Sequence, residues 1–260
     1  MNAPHTKRQT APRAAARQRG FTLVELMVTV AIALFLLGGL VTVVQNIRQA
    51  NLIQQQFAQL QDAERFAMTV IGDVVQAGGY YPYAAAAIPS TVFPAVGPMQ
   101  AGQAFYGGHP GGVGPDTLTV RLETVGGDGV IECDGSTNNA ALGTNPTVYT
   151  NVFTMNAATG QLTCQLNGGP VVPLVNNLQN MVIYYGVNRN APTINYNVDT
   201  YLTADQMNAA LVAGGDWMNI SSVRIVLTFT NPLAGTTPNQ PPTIVFERVV
   251  SVMARAGVHS

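Results

Sequence analysis

The segment from Phe21 to Val44 constrains this chain more than any other, because it is apolar throughout except for Thr22, Thr29, Thr42 and a single acid, Glu25. At about 1.5 Å per residue, a helix of that length crosses a hydrocarbon core of about 30 Å. An acid inside such a run costs about 2.5–3.5 kcal/mol near the bilayer centre and less near the interface. Its presence therefore calls for a partner. A cut after Gly20 would supply one, since the new α-amino group of Phe21 would lie one helical turn from Glu25, within reach of it or of another subunit's Glu25.

Charge is distributed unevenly around this run. The 260 residues carry 12 Lys+Arg and 13 Asp+Glu, enough chain for one sizeable domain plus an extended element. Lys7, Arg8, Arg13, Arg17 and Arg19 all precede Phe21, and no acid does. Removing the first 20 residues takes away five of the 12 basic residues and none of the 13 acids, leaving a formal net charge of −6 and no lysine. That balance argues against a nucleic-acid-binding surface. A basic leader before an apolar run fits the positive-inside rule, with residues 1–20 cytoplasmic and the chain beyond Val44 exported. An ordinary secretory signal peptide shares the basic start. However, its apolar core is about 7–15 residues long, and here the run is longer, contains an acid and leads straight into a second helical pattern.

That second pattern runs from about Gln45 to Ala77. Ile53, Phe57, Leu60, Ala67, Ile71 and Val74 recur at helical spacing, with Ala63, Phe66 and Val70 widening the stripe, while Gln55, Gln59, Asp62, Thr69, Asp73 and Gln76 mark the other face. This is the 3.6-residue period of a helix with one buried side. Gly78-Gly79 and then Pro82 supply the stop. No proline interrupts residues 21–77, so the two patterns can join into one helix of roughly 85 Å. Gly38-Gly39 is its weak point, read either as a kink or melting segment or as a place of close packing against a neighbouring membrane helix.

Gly20-Phe21-Thr22-Leu23-Val24-Glu25-Leu26 before an apolar helix resembles the class III signal of type IV pilins and type II secretion pseudopilins. The resemblance implies cleavage by a prepilin peptidase between Gly20 and Phe21, N-methylation of the Phe21 amine, and a role for Glu25 in registering the subunit against a neighbour's N-terminal amine. Within that group the chain looks like the PilW type of minor pilin. Residues 61–68 with 75–80, then Leu178–Val187, then Trp217–Ile220 with Ser222–Leu227, are similar in order to that family's helix end and later strands. Residues 84–175 carry no such likeness.

Read without the family, residues 84–260 are β-rich. Thr117–Glu123 alternates as a half-buried strand should, and Val148–Met155, Gln161–Leu166, Met181–Val187, Val223–Thr230 and Thr243–Met253 are further strands. Gly, Pro, Asn and Thr fill Gly107–Pro115, Gly126–Gly129, Asn138–Pro146 and Asn231–Pro242. Thr203 caps a short helix through Val212. Ala84–Ala87 and the stretch to Pro115 read as a long excursion. The expected class is α+β, with an antiparallel sheet on the exposed half of the long helix. The expected segments are 1–20 (a leader that is cleaved), 21–44 (the transmembrane half of the helix), 45–79 (its amphipathic half) and 80–260 (the globular domain).

Cys133 and Cys164 are the only cysteines. In an exported domain they favour a disulfide closing a loop of about 30 residues; two free buried thiols are the alternative. Zinc needs four ligands, and His109 is the only histidine near the cysteines in number. Asp128, Glu132 and Asp134 form a Gly-rich acidic loop, which either binds calcium or is simply solvated; it lacks the EF-hand spacing. Residues 107–112 lack the lysine and Ser/Thr of a phosphate loop and read as turn chemistry. Arg121, Arg189, Arg224, Arg248 and Arg255 are scattered and read as solvated or ion-paired. His5 and His259 lie at the termini, and no nucleophile or metal signature accompanies His109, so neither an enzyme nor a cofactor is expected.

Three functions are compatible with these features. One is a minor pilin in a priming or tip complex of a type IV pilus, serving extension, adhesion, twitching motility or DNA uptake. Another is a type II secretion pseudopilin, and the last a membrane-anchored binding domain that never polymerises. The resemblance implies other major and minor pilins, prepilin peptidase and a tip adhesin as partners. It also implies an inner-membrane, single-pass location with a periplasmic domain, followed by the pilus or cell surface.

Overall fold

Helix α1 spans Leu23–Ala77, 55 residues, two residues inside the expected start. In the computed structural model the described residues are 20–82, 88–109, 114–189, 197–209, 215–235 and 239–256. The chain divides into two units, Met1–Leu52 and Ile53–Ser260. In the first, Thr22 caps the helix by accepting the Glu25 N–H on its hydroxyl at 3.3 Å, as an N-cap does. The helix runs unbroken through Gly38-Gly39, where the Thr42 hydroxyl donates to the carbonyls of Gly38 at 2.9 Å and Gly39 at 3.0 Å. Its large apolar side chains from Leu23 to Val44 are exposed on every face. This helix is long and apolar enough to cross a membrane.

In the second unit the same helix becomes one-sided. Leu60, Ala67, Met68, Ile71, Gly72, Val74 and Val75 are buried, while Ile53, Phe57, Ala63 and Val70 are half-buried. Phe66 is a correction to the expected stripe, being 50% exposed. Five positions before Ile71, it sits about 140° round the helix from the buried line, whereas Met68 and Val75 fall on that line. The helix stops where expected. Gly79 takes φ +77°, and its N–H donates to the Arg121 carbonyl at 2.8 Å.

Beyond the helix the fold is α+β, with two antiparallel sheets where one was expected. The first joins β1 (Phe105–Gly108), β2 (Thr117–Thr124), β3 (Thr147–Asn156), β4 (Gln161–Leu166) and β5 (Val171–Val175) in sequence order. The second, in the order β7-β6-β8-β9, comprises β6 (Leu178–Val187), β7 (Thr200–Leu202), β8 (Ser222–Thr230) and β9 (Thr243–Ser251). The six expected strands are present, although β9 ends at Ser251 and Met253 opens the short α5 (Met253–Ala256). The short strands β1, β5 and β7 were not expected. β5 carries Pro173 and lies at a sheet edge, where a missing N–H does no harm.

Four short helices complete the described elements: α2 (Pro89–Val92), α3 (Ala204–Ala209), α4 (Gly215–Met218) and α5. Thr203 caps α3 as expected. Its hydroxyl accepts the Gln206 N–H at 3.3 Å, and the Gln206 side chain accepts the Thr203 N–H at 2.9 Å, a reciprocal capping box. The expected continuation to Val212 and the Ala84–Ala87 run lie outside the described residues.

Both sheets and the buried stripe of α1 share one apolar core, including Leu118, Val120, Phe153, Met181, Ile183, Tyr185, Val223, Ile225, Leu227 and Phe229. Trp217 is buried against Tyr185, ring centroids 4.8 Å apart, and Tyr106, 5.1 Å. Asp116 ties the sheets together. Its N–H donates to the Met181 carbonyl at 2.8 Å, and its carboxylate accepts the Ile183 N–H at 2.7 Å. It therefore satisfies part of the edge of β6 that the short β7 does not reach. Gly78 packs so closely under the sheet that an added Cβ would overlap the Phe105 ring. Gly78→Ala is expected to destabilise the domain by about 1–3 kcal/mol, read as a lower urea midpoint at unchanged m-value.

Candidate functional site

Gly20 and Phe21 precede the first turn of α1 and are exposed, Phe21 at 81%. Glu25 lies in that first turn, three residues after the capping Thr22. Its negative charge is favoured there by the free N–H groups and positive end of the helix dipole. Both residues flanking the Gly20–Phe21 bond are thus exposed, and the acid sits one turn further on. The basic leader, with Lys7, Arg8, Arg13, Arg17 and Arg19, lies outside the described residues, as do His5 and His259.

A disulfide joins Cys133 and Cys164, 31 residues apart in sequence and 6.0 Å between Cα atoms. Cys164 stands opposite Phe153 in the β3–β4 ladder, and Cys133 belongs to the loop between β2 and β3. The bond therefore pins that loop over the inner face of the five-stranded sheet. Asn151, on the same face of β3, holds it as well, accepting the Cys133 N–H at 2.8 Å and donating to the Glu132 carboxylate at 2.6 Å.

Burial of Glu132 corrects the picture of a solvated acidic loop, since this side chain is only 2% exposed. Burial pushes its pKa up to about 7; the Asn151 hydrogen bond opposes this, and the negative charges of Asp134 and Asp128 add to it. The other two carboxylates serve local turns. Asp128 accepts the N–H groups of Val125 at 2.9 Å and Val130 at 3.1 Å, and Asp134 accepts from the Ser136 N–H and hydroxyl. Among the described residues no group of three or more His, Cys, Asp or Glu is placed to hold a metal ion.

Of the arginines, Arg224 is ion-paired as expected and Arg121 is not. Arg121 is 2% exposed and neither solvated nor ion-paired; its Nη1 donates to the Pro94 carbonyl at 2.8 Å, and its guanidinium lies 5.3 Å from the Phe93 ring centre. Arg224 lies over the Tyr184 ring, 4.3 Å from its centre, with Glu247 at 3.7 Å. Arg248 reaches the Met68 carbonyl at 3.4 Å. The Arg189 N–H donates to Asp199, and the Arg255 side chain lies outside the described residues. His109 meets Asp116 at 2.6 Å. This contact extends the clamp between the sheets and was not foreseen. Gly107 and Gly108, expected in a turn, belong to β1.

Two solution measurements probe this loop. A carboxyl whose pKa is raised by folding costs no stability below the unfolded value near 4.5, and its penalty is complete above about 7. Stability should therefore fall by on the order of 2–3 kcal/mol across that window. The difference in melting temperature between Glu132→Gln and the parent chain should rise over the same pH range. Replacing both Cys133 and Cys164 with alanine should cost about 2–4 kcal/mol in chemical denaturation.

Residues 15–41 match the family model of the prokaryotic N-terminal methylation motif, and residues 143–253 match that of the type IV pilus-assembly protein W. No curated protein matches the chain. Among solved structures, a type IV-like pilin, TTHA1219 from Thermus thermophilus, is similar at 13% identity, covering 76% of this chain and 97% of its own, with a TM-score of 0.41. The methylation motif falls on the Gly20–Glu25 segment and the apolar helix behind it, and the second match takes in the disulfide's Cys164, β6, β8 and β9. In this order the chain carries a prokaryotic N-terminal methylation motif and a region similar to the type IV pilus-assembly protein W.

Proposed function

We propose that this chain is a minor pilin that joins the priming or tip complex of a type IV pilus, with a structural and not a catalytic role. The observation that carries this reading is the coupling, in one chain, of the methylation motif over Gly20, Phe21 and Glu25 to a pilus-assembly domain at residues 143–253. In this reading a prepilin peptidase removes residues 1–20 on the cytoplasmic side and the Phe21 amine is methylated. Residues 21–44 hold the subunit in the inner membrane, residues 45–79 continue the helix, and residues 80–260 form the periplasmic domain that later reaches the pilus or cell surface. Major and minor pilins and a tip adhesin are its partners.

Glu25 explains how such a subunit registers in a filament. Two opposite charges attract far more strongly in an apolar medium than in water, and a buried carboxylate without a partner is destabilising. The cationic N-terminus of an adjoining subunit satisfies both conditions only at one axial position, so the pairing selects register as well as adhesion.

Because Lys7 is the only lysine, the processed chain keeps a single primary amine, that of Phe21, and methylation converts it to a secondary one. Amine labelling followed by peptide mapping therefore reads cleavage and methylation directly. Glu25→Ala is expected to be cleaved and to remain in the membrane fraction, yet to be missing from sheared pili. Entry of that variant into pili at the parent level would overturn the filament reading. Deleting the gene should abolish surface pili and leave exoprotein secretion intact; the reverse result would assign the chain to a secretion pseudopilus.

A further inference from the structure

Arg121 is a buried cation whose hydrogen bonds the fold leaves partly unmade. Leu118, Val120 and Leu122 of β2 enter the core, so the alternation of a strand turns Arg121 to the opposite face of the sheet. There the segment between α2 and β1 covers it. Nη1 donates to the Pro94 carbonyl at 2.8 Å, and the Phe93 ring centre lies 5.3 Å from the guanidinium. Among the described residues no acceptor meets Nε or Nη2, and both atoms are buried. A buried donor without an acceptor is costly, and a buried charge without a partner more so. Burial pushes the pKa of Arg121 down. Glu123, two residues along on the same strand face, does not offset this; its own burial holds its carboxyl above the ordinary value.

The two orphaned atoms share one edge of the planar guanidinium. The Nε–H and the adjacent N–H of Nη2 run parallel, and this is an edge that a carboxylate engages with two bonds at once. Because Nη1 is turned to Pro94, that edge is left over whole. One cation beside an aromatic ring balances a single negative charge, whereas a phosphate group carries nearer two. The cover also has room to move. Phe93 lines a hollow of about 280 Å³ whose wall includes Gly79, Tyr81, Gly102 and Ala104, and Tyr81 meets the Phe93 ring edge-on at 6.1 Å. The Gly102 N–H donates to the Phe93 carbonyl at 2.8 Å, which closes residues 93–102 into one loop.

We propose that Arg121 is a carboxylate-binding site gated by the loop 93–102: the loop shifts toward the hollow, and a carboxylate accepts parallel hydrogen bonds from Nε and Nη2. The carboxylate belongs either to a small free acid or to an acidic side chain of another protein; the chemistry at Arg121 is the same. The uncompensated charge is then a property of the closed, empty site. This inference does not depend on the filament contact at Glu25.

The test titrates the full-length chain in detergent with sodium acetate, against sodium chloride and sodium phosphate at equal ionic strength. Acetate alone should raise the melting temperature in a saturable way, as a ligand of the folded state does, and should speed hydrogen exchange at the Gly102 amide. Arg121→Met removes the unpaired charge and keeps an apolar stem, so it should retain the disulfide and a melting temperature no lower than the parent's while losing both responses. Arg121→Lys keeps the charge without the fork and should lose them as well. A photo-crosslinking residue at Val96, exposed on the loop, distinguishes the two sources in the producing cells. Capture of a protein segment that Arg121→Met abolishes assigns the carboxylate to that protein, and an acetate response without capture assigns it to a free acid. No saturable response to acetate, an equal response to chloride or phosphate, or a response that survives in Arg121→Met or Arg121→Lys would each overturn the proposal.

Discussion

The buried stripe on the second part of α1 is the contact on which the globular unit depends. Ala67, Met68, Ile71, Val74 and Val75 present small and medium side chains on one line, and residues from both sheets close on that line in a single core. A sheet with one apolar face must bury it against another element. Here one helix takes part in covering two sheets. Gly72 and Gly78 belong to this economy of space: the first lies against Val250 of β9, and the second leaves room for Phe105 and Val120.

Polar groups then fix how the sheets meet. Asp116 bonds to two backbone groups of β6 and to His109, supplying hydrogen bonds that a longer β7 would otherwise have made. Asn151 and Glu132 do the corresponding work beneath the β2–β3 loop, where the disulfide supplies the covalent tie. Buried polar groups are costly unless they are bonded, so each of these contacts specifies one arrangement of loop and sheet. The raised pKa of Glu132 is the electrostatic cost of that specificity.

The strands and the long helix were legible because their signals are local. Thr117–Thr124 alternates along its own length, and α1 switches from apolar on all faces to one-sided within its own sequence. β1 and β5 were hidden for equally physical reasons. Gly107 lies so close to the Tyr185 hydroxyl that no side chain fits, which strips β1 of its pattern, and Pro173 marks β5 as a non-strand unless its edge position is known. Phe66 misled because it extends an apolar stripe on paper while pointing about 140° away from its centre on a helix.

The sequence by itself determined the Gly20–Glu25 motif ahead of an apolar helix, the placement of Glu25 one turn into that helix, the lysine-free acidic composition beyond it and the α+β class. These rest on charge, spacing and period, which neighbouring residues settle among themselves. The division into two sheets, the burial of Glu132 and Arg121, the clamp at Asp116 and the open edge of β9 were decided only by the tertiary structure. Each depends on which distant segment arrives opposite a given residue, and whether a carboxylate is solvated or buried is a property of that neighbour, not of the residue.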